Sequence, residues 1–460
     1  MLGVKKTVIF VKSERKQVLL ALILFICGFL GVQRFALNPI NAAICVVPYV
    51  MFVMNTHQGN QRAAVSCLLL ALLLSVDNGA GVHAETVSLV RYVIYVTVIA
   101  VLFYFSRWCV RKQTLAVAVL FCFGILFGSL QSLLLVEVPI DAATMRQDLM
   151  VLFMLSIFLF ERGSVRLDLQ LIYICSLGYL TGEVLNGLFL YKDHNDYLSY
   201  NSLKSFIVFP LIYSMLTRKN IVIMVALAVL TLYILFLYGT RMIVLSVILF
   251  VIAASIIYTF RNKCGRGAVI FLVLSLAWMT FNIVEIDNNS EFLKFKAIAF
   301  LFQIIDTLKN SEILQVLAML DPVRFAEHQL FFDQSILQII FGRGLGSGIY
   351  DPKGLLGFVT MDQTAFSDAE INSSTYFAFH DFWIDFGLRF GILSVAYLVI
   401  KLSISPMWHR QYGKGLLFGV LLINTTFSMA GIIFLIFLVR LWPEQMPFAQ
   451  FEVNTALVRN

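Results

Sequence analysis

The chain has 460 residues, of which 60% are hydrophobic and 13% charged, with 42 Phe against 9 Pro. That balance excludes a soluble domain of ordinary composition, a collagen, a disordered chain and a disulfide scaffold, and it predicts an all-α integral membrane protein. A β-barrel is excluded because barrel strands alternate apolar and polar residues, whereas these runs are apolar throughout. The formal net charge of +7 does not point to nucleic acid, because the basic residues fall in short loops between apolar runs.

Lys5, Lys6, Lys12, Arg15 and Lys16 precede the first apolar run, which lacks an A-x-A cleavage site and is read as an uncleaved first helix with a cytoplasmic N-terminus. Apolar runs then occur at 17–32, 39–54, 63–76, 87–106, 114–136, 148–160, 167–190, 203–216, 220–238, 242–260, 268–285, 381–402 and 415–440. With about 20 residues needed to cross about 30 Å of hydrocarbon, they predict a polytopic bundle of about 12–14 spans. Basic residues mark alternate loops: Arg107, Arg111 and Lys112; Arg162 and Arg166; Arg218 and Lys219; Arg261, Lys263 and Arg266; Arg410 and Lys414. The opposite short loops carry only Arg34, Arg146, Lys192 and Arg241, the asymmetry expected of cytoplasmic against outer loops.

Three consecutive segments follow: 1–285 as a bundle of about eleven spans, 286–380 as a large extracytoplasmic loop, and 381–460 as C-terminal spans and tail. The loop carries eleven acidic residues against six basic ones. Its apolar residues Phe292, Phe295, Ala299 and Phe302, and again Phe325, Leu330, Phe331 and Ile336, recur at near-helical spacing and predict amphipathic helices. No repeat of fixed period divides the chain, which weakens a transporter reading. The seven cysteines show no C-x-x-C spacing and leave the polar loop empty, so neither a disulfide framework nor a zinc site is indicated.

Four places can carry chemistry. Leu237-Tyr238-Gly239-Thr240-Arg241 puts an arginine where two apolar runs meet, either as a snorkelling side chain or as an anion-binding residue at a helix start. In Asp321-Pro322-Val323-Arg324-Phe325-Ala326-Glu327-His328, Pro322 opens a helix capped by Asp321. Arg324, Glu327 and His328 then share one face, as a solvated surface or as a second arginine steadied by Glu327. Phe341-Gly342-Arg343-Gly344-Leu345-Gly346-Ser347-Gly348 fails the G-x-G-x-x-G and Walker spacings, which rejects nucleotide binding. It is a bend between loop helices, or a loop whose amides approach a phosphate or sugar. Finally, His380 stands at the boundary of the next run, with Asp381, Asp385 and Arg389 at steps of four along one helical stripe. The pair Asp385–Arg389 either holds that helix in place or belongs to a site.

Weaker signals are Lys192-Asp193-His194-Asn195-Asp196, read as a solvated loop, and the in-run charges Glu183 and Arg91. The acidic pairs Glu285-x-Asp287 and Asp368-x-Glu370 are too sparse for a metal site on their own.

The order of these features resembles the superfamily of bacterial O-antigen polymerases and O-antigen ligases. The match runs from about 195 to 395: a Thr240-Arg241 pair at the start of a run, Arg324 in the late loop, the G-x-G turn at 342–348, and His380 opening His-Asp-Phe-Trp-Ile-Asp-Phe-Gly-Leu-Arg-Phe-Gly. Asp381 stands where that family usually has Asn. The resemblance implies a transferase of the bacterial inner membrane with a glycosyltransferase C-type architecture, acting at the periplasmic face on undecaprenyl-diphosphate-linked oligosaccharides, with no cofactor, nucleotide sugar or obligate metal. Its partners would be that lipid-linked substrate, the bilayer and a polysaccharide chain-length regulator. Under that implication Arg241, Arg324 and Arg343 bind diphosphate, and His380 is the base with Glu327 as its rival. Gly344, Gly346, Asp381 and Asp385 position substrate. Polymerization of repeat units is the leading expectation, ahead of ligation to lipid A-core, and a flippase or other transporter is the competing class.

Overall fold

The computed structural model describes residues 2–31, 38–75, 84–105, 107–110, 126, 130, 140–155, 160–161, 165–189, 204–217, 221–237, 322–356, 374–377, 379, 382–408, 418–419, 439 and 441. Described helices overlap the apolar runs at 17–32, 39–54, 63–76, 87–106, 148–160, 167–190, 203–216, 220–238 and 381–402, while most of the runs at 114–136, 242–260, 268–285 and 415–440 lies outside the described residues. The chain divides into two compact units. One comprises 1–105, 164–240 and 441–460; the other comprises 106–163 and 241–440. They interleave along the chain, whereas the three segments expected from sequence are consecutive.

The first unit contains α1 (Leu2–Gly31), α2 (Asn38–His57), α3 (Gln61–Leu74), α4 (Ala84–Tyr104), α5 (Leu169–Phe189), α6 (Lys204–Leu216) and α7 (Ile221–Leu237). Every residue of α3 from Ala63 to Leu73 is buried, as expected of a helix apolar on all sides. It starts from a tight turn in which Gly59 adopts φ +74 and the Asn60 side chain accepts from the Ala63 N–H at 3.4 Å. Helices α1 and α5 cross with their backbones almost touching. A Cβ on Gly28 would lie 2.0 Å from the Cys175 carbonyl oxygen, and one on Gly178 would lie 2.2 Å from that of Phe25. Only glycine admits that approach. Burial pushes the thiols gathered there upward, Cys27 to about 11 and Cys67 to about 12.

The second unit contains β1 (Arg107–Val110), α8 (Ala142–Leu155), β2 (Phe160–Glu161), α9 (Pro322–Phe332), α10 (Ile336–Phe341), β3 (Ile349–Tyr350), β4 (Thr375–Tyr376), α11 (Phe382–Phe390) and α12 (Ile392–Val399). A π-helical turn at Ile400–Ile404 and a short helix at Ser405–Trp408 continue α12. Strands β1 and β2 pair antiparallel, as do β3 and β4, with Ile349 opposite Tyr376.

Among the described residues no helix is long and apolar enough to cross a membrane. The expected polytopic bundle of 12–14 spans, its glycosyltransferase C-type architecture and its inner-membrane placement are corrected on that finding. Several elements show why an apolar run is not a span. Helix α3, with Asn60 as its N-cap and Ser75 as its C-cap, has 14 residues, short of the roughly 20 that a crossing needs. The run at 381–402 is cut by Gly391 into helices of 9 and 8 residues.

Candidate functional site

Helix α9 begins at Pro322, whose fixed φ and missing N–H suit the first helical position. Its inner face sets Ala326, Leu330 and Phe331 into a core with Ile349, Leu356, Tyr376, Phe379, Ile384 and Leu388. Glu327 is fully buried, so it does not lie on a solvated face. His328 is half-buried, and its ring centroid lies 4.9 Å from that of Trp383 in α11.

From α9 the chain turns through Asp333–Ser335 into α10, where the Ser335 hydroxyl accepts from the Gln338 N–H. Gly342 ends that helix in the left-handed region, with φ +83 and its N–H donated to Gln338 O at 2.8 Å. The glycine loop that follows is seated on the end of α11 and the start of α8. The Arg343 N–H donates to Leu388 O at 2.6 Å and the Gly344 N–H to Arg389 O at 3.3 Å. The Gly346 N–H reaches Asp148 Oδ2 at 2.7 Å. A Cβ on Gly342 would lie 2.5 Å from Arg389 O, and one on Gly346 2.7 Å from Met145 Cβ. The glycines thus let backbone meet backbone, and the amides of residues 342, 343, 344 and 346 donate to protein acceptors. Arg343 donates through Nη1 to Gly348 O at 3.0 Å and through Nη2 to Gln338 Oε1 at 3.4 Å. Burial draws its guanidinium down to about 10, so it remains charged at neutral pH.

The centre of the site is ionic and buried. Arg389 donates through Nη1 to Asp385 Oδ1 at 2.8 Å and through Nε to Asp148 Oδ2 at 3.3 Å. Its Nη2 donates to the Phe377 carbonyl oxygen, and the Phe379 N–H donates to Asp385 Oδ2 at 3.2 Å. Three side chains from α8 and α11, together with the stretch 377–379, therefore form one hydrogen-bonded knot. Charges enclosed in this way are tolerated only when paired and hydrogen-bonded. Burial pushes Asp385 up to about 7, Arg389 opposes that rise, and Glu327 and Asp148 add to it. Asp148 is raised by the same cause, and Arg389 and the Gly346 N–H pull it back.

Of the residues singled out from sequence, Glu327, Arg343, Gly344, Gly346 and Asp385 are described and belong to this one unit. Arg324 lies in the first turn of α9. Arg241, His380 and Asp381 lie outside the described residues, as do Asp321, the cluster 192–196 and the pairs at 285–287 and 368–370. His380 and Asp381 fall between Phe379, which is buried, and Phe382, which opens α11. Glu183 is buried in α5 and Arg91 lies in α4, both in the first unit.

Asp148 is the functional candidate that the sequence does not single out. It stands at the head of the apolar run 148–160, where a carboxylate reads as the polar end of a helix. The available signal was the cost of placing a charge on an apolar face, the same consideration that drew attention to Asp385. Compared with protein-family models, with curated proteins and with solved structures, the chain gives no match.

Proposed function

We propose that the chain is a glycosyltransferase that polymerizes undecaprenyl-diphosphate-linked oligosaccharide repeat units. The observation that carries this reading is the meeting of three separated candidate segments on one core. Helix α9, with Arg324 and Glu327, packs through Ala326, Leu330 and Phe331 against Ile384 and Leu388 of α11. The glycine loop donates two amides to the end of α11, and His380 and Asp381 immediately precede that helix.

The chemistry suits these residue types. The acceptor hydroxyl oxygen attacks the anomeric carbon and forms the new C–O bond. The bond from that carbon to the phosphate oxygen breaks, and its electron pair leaves with undecaprenyl diphosphate. Arginine forks neutralize the departing charge with paired hydrogen bonds. Because Arg343 gives donors to Gly348 and Gln338, that task falls first to Arg241 and Arg324. The hydroxyl proton passes to His380, histidine being the side chain suited by type to general base catalysis near neutral pH.

The test is conversion of purified undecaprenyl-diphosphate-linked repeat unit into longer products, resolved as a ladder on a gel. R241A, R324A and H380A are each expected to lose the ladder by about 100-fold or more in rate. Full ladders from all three variants would overturn the assignment. Transfer of preformed polymer to lipid A-core, with no ladder, would mark a ligase instead. Absence of any new glycosidic bond from the parent protein would mark a transporter.

A further inference from the structure

We propose that one face of α9 and the first turn of α11 form a subsite for a pyranose ring of an oligosaccharide, with His328, Phe332 and Trp383 as its floor and Gln329, Asp333 and Lys353 at its edge. This inference rests on the reading of the chain as a transferase of oligosaccharides, and it names a place where that sugar is held. His328 and Phe332 are four residues apart and therefore share one face of α9. Trp383 stands against both, its ring centroid 4.9 Å from that of His328 and 6.2 Å from that of Phe332, tilted by 49° and 42°. Behind it lies Phe331, fully buried, at 5.5 Å and nearly perpendicular. Trp383 is thus fixed from the core side, while Phe332 is 55% exposed.

A polar row runs beside the rings. The N–H of Asp333 donates to Gln329 O at 2.9 Å, which continues the helical register past Phe332 and sets Asp333 one turn beyond Gln329. Both residues are exposed. Lys353 donates through Nζ to Asp333 Oδ2 at 3.2 Å, with the two side chains 65% and 51% exposed. An ion pair so open to water contributes little to stability, and a phenyl ring left in water contributes less than a buried one, so folding alone does not account for either. A pyranose has a face of C–H groups and an edge of hydroxyls. Aromatic rings take the first, and an amide, a carboxylate and an ammonium supply donors and acceptors for the second. Sites for small ligands combine these elements, an apolar surface already formed with a few polar groups that set orientation. A hydrocarbon surface would use the rings and gain nothing from the polar row.

The probe is the repeat-unit oligosaccharide freed from its lipid diphosphate by mild acid, titrated calorimetrically into the purified full-length chain. F332A is expected to weaken its binding about 3- to 10-fold, and F332Y, which keeps the ring, less than about twofold. Q329A and D333A should each cost about 3- to 10-fold. With the lipid-linked repeat unit, F332A should raise KM by the same factor as it weakens binding and leave kcat within about twofold, as expected of a contact made equally in ground state and transition state. Ile336 and Leu337 of α10 are exposed as well, so vesicles of phosphatidylethanolamine and phosphatidylglycerol serve as a second probe. Loss of vesicle binding in F332A, with sugar binding unchanged, would overturn the inference in favour of a lipid contact. Parental affinity for the oligosaccharide in F332A, Q329A and D333A would overturn it as well. A parent that polymerizes the lipid-linked unit yet does not bind the free oligosaccharide would overturn the inference and leave the transferase reading standing. Binding weakened as expected in the variants, without any polymerization by the parent, would uphold the subsite and overturn the transferase; a parent that does neither would overturn both. Should F332A fail to fold, Q329A and D333A, at exposed polar positions, decide by the same outcomes.

Discussion

The two units are built on opposite principles. In the first, α3 is buried from Ala63 to Leu73 and α1 meets α5 through glycine, with Glu183 its one buried charged residue among the described residues. In the second, the middle of the core is the knot of Asp148, Asp385 and Arg389, with Glu327 buried nearby. An apolar core gains from each side chain it removes from water, roughly 25 cal/mol per Å², and it tolerates local loss. An ionic core is stable only while every partner is present, because each charge left behind remains enclosed without its counterpart. The second unit is therefore the brittle one, and brittleness retained in a core signals geometry that matters.

The largest expected effect breaks the ionic side of that contrast. R389M leaves Asp148 and Asp385 buried without their shared cation and is expected to lower stability by about 3–5 kcal/mol in denaturant unfolding. The triple variant D148N/D385N/R389M removes the orphaned charges as well and should recover at least half of that loss. A triple variant as unstable as R389M would mean that shape, and not charge, holds α8 to α11.

A smaller effect tests the apolar side. G178V drives new methyl groups into the Phe25 carbonyl and is expected to destabilize by about 1–3 kcal/mol. Thiol labelling gives a local readout, since burial has pushed Cys27, Cys67 and Cys175 upward and leaves little reactive thiolate at pH 8. In the parent these three cysteines should label only on unfolding. In G178V, Cys27 and Cys175 should label first, as seen by mass spectrometry of the peptides. Equal labelling of parent and variant would show that the crossing has room to relax.

How far the sequence reveals these two cores depends on the range of the contacts. The i, i+4 relation of Asp385 and Arg389 was legible because one helix fixes it, and so was the start of α9 at Pro322. Among the described residues several helices fall on apolar runs, yet their lengths do not follow from those runs. At Gly391 the backbone turns to φ +79, and a Cβ there would lie 2.1 Å from Ile340 O, so a partner helix imposes the break inside the run 381–402. The glycine loop was visible as a loop, but its function as a clasp was hidden because its acceptors, Leu388, Arg389 and Asp148, come from elsewhere in the chain. Asp148 is illegible in the sequence for the same reason: its meaning lies in Arg389, 241 residues away.

A further effect sharpens the contrast through pH. Asp385 is raised from its usual value of 3.8 to about 7, with burial as the main cause. A carboxyl raised on folding favours the native state while protonated, so its contribution is complete below about pH 4 and is lost as pH rises through about 7. D385N cannot ionize at that position and should lack this component. The stability of the parent relative to D385N is therefore expected to fall steadily between pH 4 and pH 7.5, measured by denaturant unfolding across that range. A difference that instead grows with pH would mean that Arg389 outweighs burial and that Asp385 is held ionized. The knot would then be a permanent ion pair, and R389M would need to show the larger end of its predicted loss at pH 7.5 and a smaller one at pH 4.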